Sequence, residues 1–121
     1  MVIIAAAVMG ACSSGHDASG AATQVARGKT IAMNRGCTTC HGANAQGGLG
    51  PSWVGLAGST VQLDDGSKVT ADDAYLTESI RTPSAKKVAG YSLAMPPIAL
   101  SDEEVAALVA YIDSLGAASG R

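Results

Sequence analysis

The chain has 121 residues, with 8 Lys+Arg against 10 Asp+Glu and a formal charge of −2, so no polyanion-binding surface is implied and nucleic-acid binding is excluded as a first reading. Charged residues at 15 % and hydrophobic residues at 47 % exclude a disordered chain and leave room for one small domain plus an extra apolar segment. Aromatic residues make up only 3 %, with no Phe, whereas large flat side chains normally carry much of the burial in so small a domain; another apolar body is expected in the core.

The extra apolar content lies at the front, where Val2 to Ala11 runs without a charge. The run is too short for a transmembrane helix of about 20 residues but suits the apolar region of an export signal. It ends in Met9-Gly10-Ala11-Cys12, which resembles the lipobox of bacterial lipoproteins and implies acylation of Cys12 as a lipid anchor, with residues 1–11 removed. The small, polar stretch that follows reads as a flexible tether over residues 12–23, with a reach of at most ~40 Å extended and roughly 20 Å as a coil. Its Ser and Gly content argues against helix.

A helical pattern begins at Thr23, with Val25, Gly28, Ile31 and Ala32 near one face, and Arg35-Gly36 stops it. Gly36 to Gly58 reads as irregular, and so long a loop inside a compact domain needs a site or a cofactor to organise it. Val61–Leu63 and Lys68–Thr70 flank Asp64-Asp65-Gly66-Ser67 as a small hairpin. Thr70, with Asp73 three residues on, is the expected cap of a short helix carrying Leu76 and Ile80, which Pro83 ends. Ser84 to Leu100 is again irregular. Ser101 and Glu104 form a capping box for a last helix with Val105, Leu108, Val109, Ile112 and Leu115 on one face, before Gly116. The domain is therefore expected over residues 24–116, all-α apart from one hairpin, with 117–121 as a disordered tail.

Cys37-Thr38-Thr39-Cys40-His41 is the most informative stretch. C-x-x-C-H is the attachment signature of a c-type haem: two thiols add to the porphyrin vinyl groups, and the adjacent imidazole ligates the iron from one face. Three rivals compete. A thioredoxin-like redox pair belongs at a strand-to-helix step, whereas this motif follows a helix. A zinc site needs four ligands, and beyond Cys37, Cys40 and His41 the chain offers only Cys12 and His16. A structural disulfide is the third. An export signal, missing aromatics and two long loops all favour haem c, one per chain and covalently held.

The sixth iron position calls for a second ligand if the role is electron transfer, and a thioether raises the potential by favouring ferrous iron. Met1 and Met9 lie in the signal, and Met33 reads as a packing residue of the first helix, which leaves Met95 in Tyr91-Ser92-Leu93-Ala94-Met95-Pro96-Pro97. The prolines hold Met95 extended and stiffen the loop. His16, on the tether, is the weaker alternative.

Taken together, these pieces resemble a class I cytochrome c from about Val25 to Leu115. The likeness is carried by Gly28, Cys37 to Gly42, Gly50-Pro51, Gly55 to Gly58, the Val61 to Gly66 turn, Asp72 to Leu76, Glu78-Ser79-Ile80, Gly90-Tyr91, Met95-Pro96 and Ala110-Tyr111-Ile112. Within that class the chain is most similar to the cytochrome c domain of bacterial oxidase subunits II. The resemblance implies three to four helices around one haem, with Gly28 letting the first helix cross the last near Tyr111. It also implies that the Pro51 carbonyl accepts the proton of the second nitrogen of His41; Trp53, standing where the family commonly has an aliphatic residue, reads as packing in the haem pocket, with a docking or electron-path role as the alternative. Ile31-Ala32 stand where the family usually has an aromatic, which implies a looser crossing.

No cysteines remain for a copper domain, so a free-standing haem module is expected on the outer face of the bacterial cytoplasmic membrane, in the periplasm. The expected role is single-electron transfer with redox protein partners, a quinol-oxidising complex or a terminal oxidase, and without a small-molecule substrate. A haem sensor or peroxidase-like protein with an open sixth position, and a dedicated monohaem subunit of a respiratory complex, are the other readings. Lys86-Lys87 reads as a solvated loop face.

Overall fold

The computed structural model describes residues 16–116; the expected signal segment, Cys12 and the tail 117–121 lie outside the described residues. Four helices and a hairpin follow in the order α1 (His16–Asn34), α2 (Cys37–His41), β1 (Thr60–Gln62), β2 (Lys68–Thr70), α3 (Asp73–Arg81) and α4 (Asp102–Ser114). Among the described residues, no helix is long and apolar enough to cross a membrane.

The crossing of α1 over α4 is the main helix contact. Ile31 and Ala32 of α1 meet Val105, Leu108, Val109 and Ile112 of α4 in one buried cluster, which α3 joins through Tyr75, Leu76 and Ile80. Each large apolar side chain so buried contributes about 1.5–3 kcal/mol. The crossing is close rather than loose: a Cβ on Gly28 would strike the Ala107 carbonyl and lie 2.7 Å from the Cβ of Tyr111. With Gly28 and Ala32 at the contact, the two backbones approach and no aromatic is needed between them. Arg35 closes the end of α1 onto Glu104, with nitrogen and oxygen 2.6 Å apart.

Helix ends follow from local chemistry. The Ser101 hydroxyl accepts from the Glu104 amide at 3.2 Å, and the Glu104 carboxylate accepts from the Ser101 amide at 2.9 Å, so the expected capping box is formed. The cap of α3 is Asp72, whose carboxylate accepts from the Tyr75 amide at 2.8 Å. Thr70, the sequence candidate, is instead the last residue of β2, opposite Thr60 in the antiparallel register. The hairpin turns at Gly66, with the Ser67 amide donating to the Asp65 carboxylate at 2.8 Å.

Two further expectations are corrected. Helix α1 begins at His16, where the sequence suggested tether, because Ala18, Ala21 and Ala22 are strong helix formers that outweigh a single glycine penalty of about 1 kcal/mol at Gly20. Thr23 returns its hydroxyl to the Ser19 carbonyl at 2.9 Å. Met33 is 51 % exposed rather than packed, since Ile31 and Ala32 take the inner face and the next residue turns outward.

Candidate functional site

Gly36, at φ 78°, reverses the chain after α1 and opens α2, a single turn made of the C-x-x-C-H motif itself. That short helix replaces the irregular backbone expected from Gly36 onward. It brings Cys37 and Cys40, at i and i+3, to one face. Both are free, half-buried and on the wall of the same cavity. Burial pushes the Cys37 thiol up, partly offset by a backbone hydrogen bond.

His41 is buried, and its Nδ1 lies 2.8 Å from the Pro51 carbonyl oxygen. A carbonyl only accepts, so Nδ1 carries the proton and Nε2 is the nitrogen with a free lone pair. Burial lowers the His41 pKa, against a smaller upward pull from Pro51, so the neutral imidazole is favoured. The ring is closely packed. Trp53 stacks on it with centroids 4.5 Å apart and planes 24° from parallel, and a Cβ on Gly50 would come within 3.0 Å of it. Trp53 in turn sets its edge against Tyr111 of α4 at 6.2 Å, which ties the imidazole to the helix crossing.

The loop after His41 is organised by its own backbone. Gly47 donates to His41 O at 2.8 Å, Gly50 to Cys40 O at 2.9 Å, Trp53 to Ala45 O at 2.9 Å and Gly58 to Ala71 O at 2.9 Å. Its glycines permit this path: Gly47 has φ 89°, and a Cβ there would lie 2.9 Å from the Ser52 nitrogen.

The cavity measures about 550 Å³, within the range of cofactor pockets. Apolar side chains dominate its wall, including Leu76 and Ile80 of α3, and the charged groups on it are Lys86 and Lys87. Lys86 pairs with Glu78, so the two lysines are not equivalent parts of one solvated face. Half-buried Met95 lines the same cavity. The segment that carries it is tethered at its start, where Asp64 donates to Lys87 O and Ala89 to Gln62 O, both at 2.9 Å. From Gly90 to Leu100, no hydrogen bond to other described residues is made. His16 opens α1, and its side chain lies outside the described residues.

Two thiols on one turn, a buried imidazole of fixed tautomer and an apolar cavity beside them form a donor set suited to a covalently held haem. The family profile for cytochrome c matches residues 25–116. The chain belongs to the cytochrome c family. Members are typically haem-containing electron carriers rather than enzymes, and Cys37, Cys40 and His41 of this cytochrome c are the positions that imply a covalent haem c. A comparison with curated proteins found no match, so the likeness to oxidase subunit II rests on the sequence motifs alone. Sequence reasoning did not find the stacking of Trp53 on His41 or the buried hydroxyl of Ser79; both depend on contacts across the fold.

Proposed function

We propose that this cytochrome c shuttles single electrons through an iron held between His41 and Met95, as a lipid-anchored module on the outer face of the bacterial cytoplasmic membrane. The observation that carries the reading is that one cavity is lined both by an imidazole with its Nε2 free and by a thioether. Haem supplies a one-electron iron couple when bound. The chain's residues do the rest. Cys37 and Cys40 would hold the porphyrin by thioether bonds, Met95 would favour the ferrous state, and Pro51 and Trp53 hold the imidazole in one orientation.

The anchor is Cys12, supported by the apolar run and small residues before it. The partners are membrane redox proteins, a quinol-oxidising complex or a terminal oxidase. The peroxidase-like alternative lacks a specific observation in its favour: Arg81 pairs with Asp102 and is not on the cavity wall.

The test is spectroscopic. The ferric wild type is expected to be low-spin with a long-wavelength sulfur-to-iron charge-transfer band, and the ferrous protein to resist carbon monoxide. Met95→Ala should abolish the band, lower the reduction potential and admit carbon monoxide, whereas exposed Met33→Leu should change none of these. A wild type that binds carbon monoxide readily and lacks the band overturns the carrier reading. Cys12→Ser should move the domain to the soluble fraction with its spectrum unchanged; retention in membranes would remove the lipid anchor from the account.

A further inference from the structure

Trp53 is the single tryptophan of the chain, and its indole lies over the His41 ring, with centroids 4.5 Å apart and planes 24° from parallel. It is 6 % exposed and has little freedom to leave that ring. Its amide donates to Ala45 O at 2.9 Å, and Tyr111 of α4 stands nearly perpendicular to it at 6.2 Å. Two electron-rich groups therefore meet the imidazole from different directions. The Pro51 carbonyl oxygen lies 2.8 Å from Nδ1 at the ring edge, and the indole presents its π face, which carries the negative part of the aromatic quadrupole.

What such a face does depends on the charge of the ring against it. A neutral imidazole stacked on indole gains a modest aromatic contact, whereas one that shares positive charge gains a cation–π attraction as well. With Nε2 on iron, the ferric state draws more electron density from the imidazole than the ferrous state does. The indole thus contacts the two states with unequal strength, and an equilibrium shifts only by such a difference. An aliphatic side chain of similar bulk would cover the ring without supplying it. We infer that Trp53 is a positioning residue acting through His41: its π face stabilises the ferric form and holds the reduction potential down, against the thioether proposed on the other side of the iron. The inference rests on ligation of the haem iron by His41, part of the function proposed above, and is independent of the sixth ligand. Bulk acts in the opposite sense, because keeping water away from the ring disfavours the more highly charged ferric state. A smaller residue at this position changes both effects, whereas fluorine on the indole weakens the π face and leaves the bulk nearly unchanged.

Because the chain holds no other tryptophan, expression on mono-, di- or trifluorinated tryptophan places the analogue at this position alone. Pulsed EPR of the ferric, haem-loaded full chain first establishes an imidazole nitrogen on the iron; its absence overturns ligation by His41 and the inference with it. Potentiometry of the series then reads the effect of the indole. The potential is expected to rise with each added fluorine while the EPR spectrum keeps its ligand signature. At a fixed solution potential the reduced-to-oxidised ratio should grow about two- to fivefold across the series. With the imidazole on the iron, a potential that stays in place or falls on fluorination overturns the inference alone, because the side chain then acts by its bulk.

Discussion

The loop that follows His41 and the segment that carries Met95 both border the cavity, yet they are held in different ways. From Gly42 to Gly58 the backbone is bonded to α2, to itself and to the end of the hairpin, and Trp53 anchors it to α4. From Gly90 to Leu100 the backbone makes no such bond among the described residues, and two prolines supply stiffness without donors. The imidazole is thus oriented by the protein alone, whereas Met95 stands on a strap without backbone hydrogen bonds to other described residues. The histidine side of the site is preorganised, and the proposed ligation would complete the methionine side.

The largest contrast should appear in amide exchange. In haem-loaded Met95→Ala, the amides of Tyr91 to Ala94 are expected to exchange near their intrinsic rates, while Gly50 and Trp53 remain protected by about a thousandfold or more. In the wild type the strap should slow markedly. Equal protection of both regions in the variant would break the comparison.

Damage to the shared frame should loosen both regions alike. Gly28→Ala must separate α1 from Ala107 and is expected to destabilise by about 3 kcal/mol, read by denaturant unfolding. Gly20→Ala, with no atom within 4 Å of the added methyl, should be neutral or stabilising by roughly 0.5–1 kcal/mol.

Trp53→Leu removes the ring stacked on His41 and should cost about 2 kcal/mol while perturbing the histidine side of the iron spectrum before the strap is affected. Ser52→Ala is a milder version. Its hydroxyl donates to Ala45 O at 3.2 Å and accepts from the Val54 amide at 3.1 Å, so about 1 kcal/mol should be lost, against almost nothing for Ser92→Ala in the strap.

The smallest effect is on acid stability. Glu104 is held below its ordinary pKa of 4.5, first by its hydrogen bond from Arg35 and then by the Ser101 amide. A carboxylate depressed in the folded state contributes stability above pH 4.5 that is lost as pH falls through the folded value. The thermal midpoint of the wild type should therefore fall more steeply than that of Glu104→Gln over this range, and both regions of the site should respond equally.

Features encoded within a few residues were legible in the sequence. The Ser101/Glu104 box and the turn at Gly66 each specify their own local geometry, whereas C-x-x-C-H was legible as chemistry but not as the helical turn it forms. Competition between neighbours was less legible: Thr70 and Asp72 are both plausible caps, and strand pairing of Thr70 decides for Asp72. The Ser/Gly stretch before Thr23 obscured an alanine-rich turn of helix that depends on no tertiary contact to be read from periodicity. Contacts between distant positions, such as Trp53 on His41 or Gly28 against Ala107, leave no local pattern and appear only when the chain is folded.

Helix α2, with Cys37, Cys40 and His41 of a cytochrome c, implies a haem bonded to the chain. Denaturing mass spectrometry of the protein matured in an exporting host with haem-attachment machinery tests it directly. The expected result is one haem per chain that survives denaturation and is lost when Cys37 and Cys40 are both replaced by alanine. A polypeptide mass without the haem increment would contradict the claim.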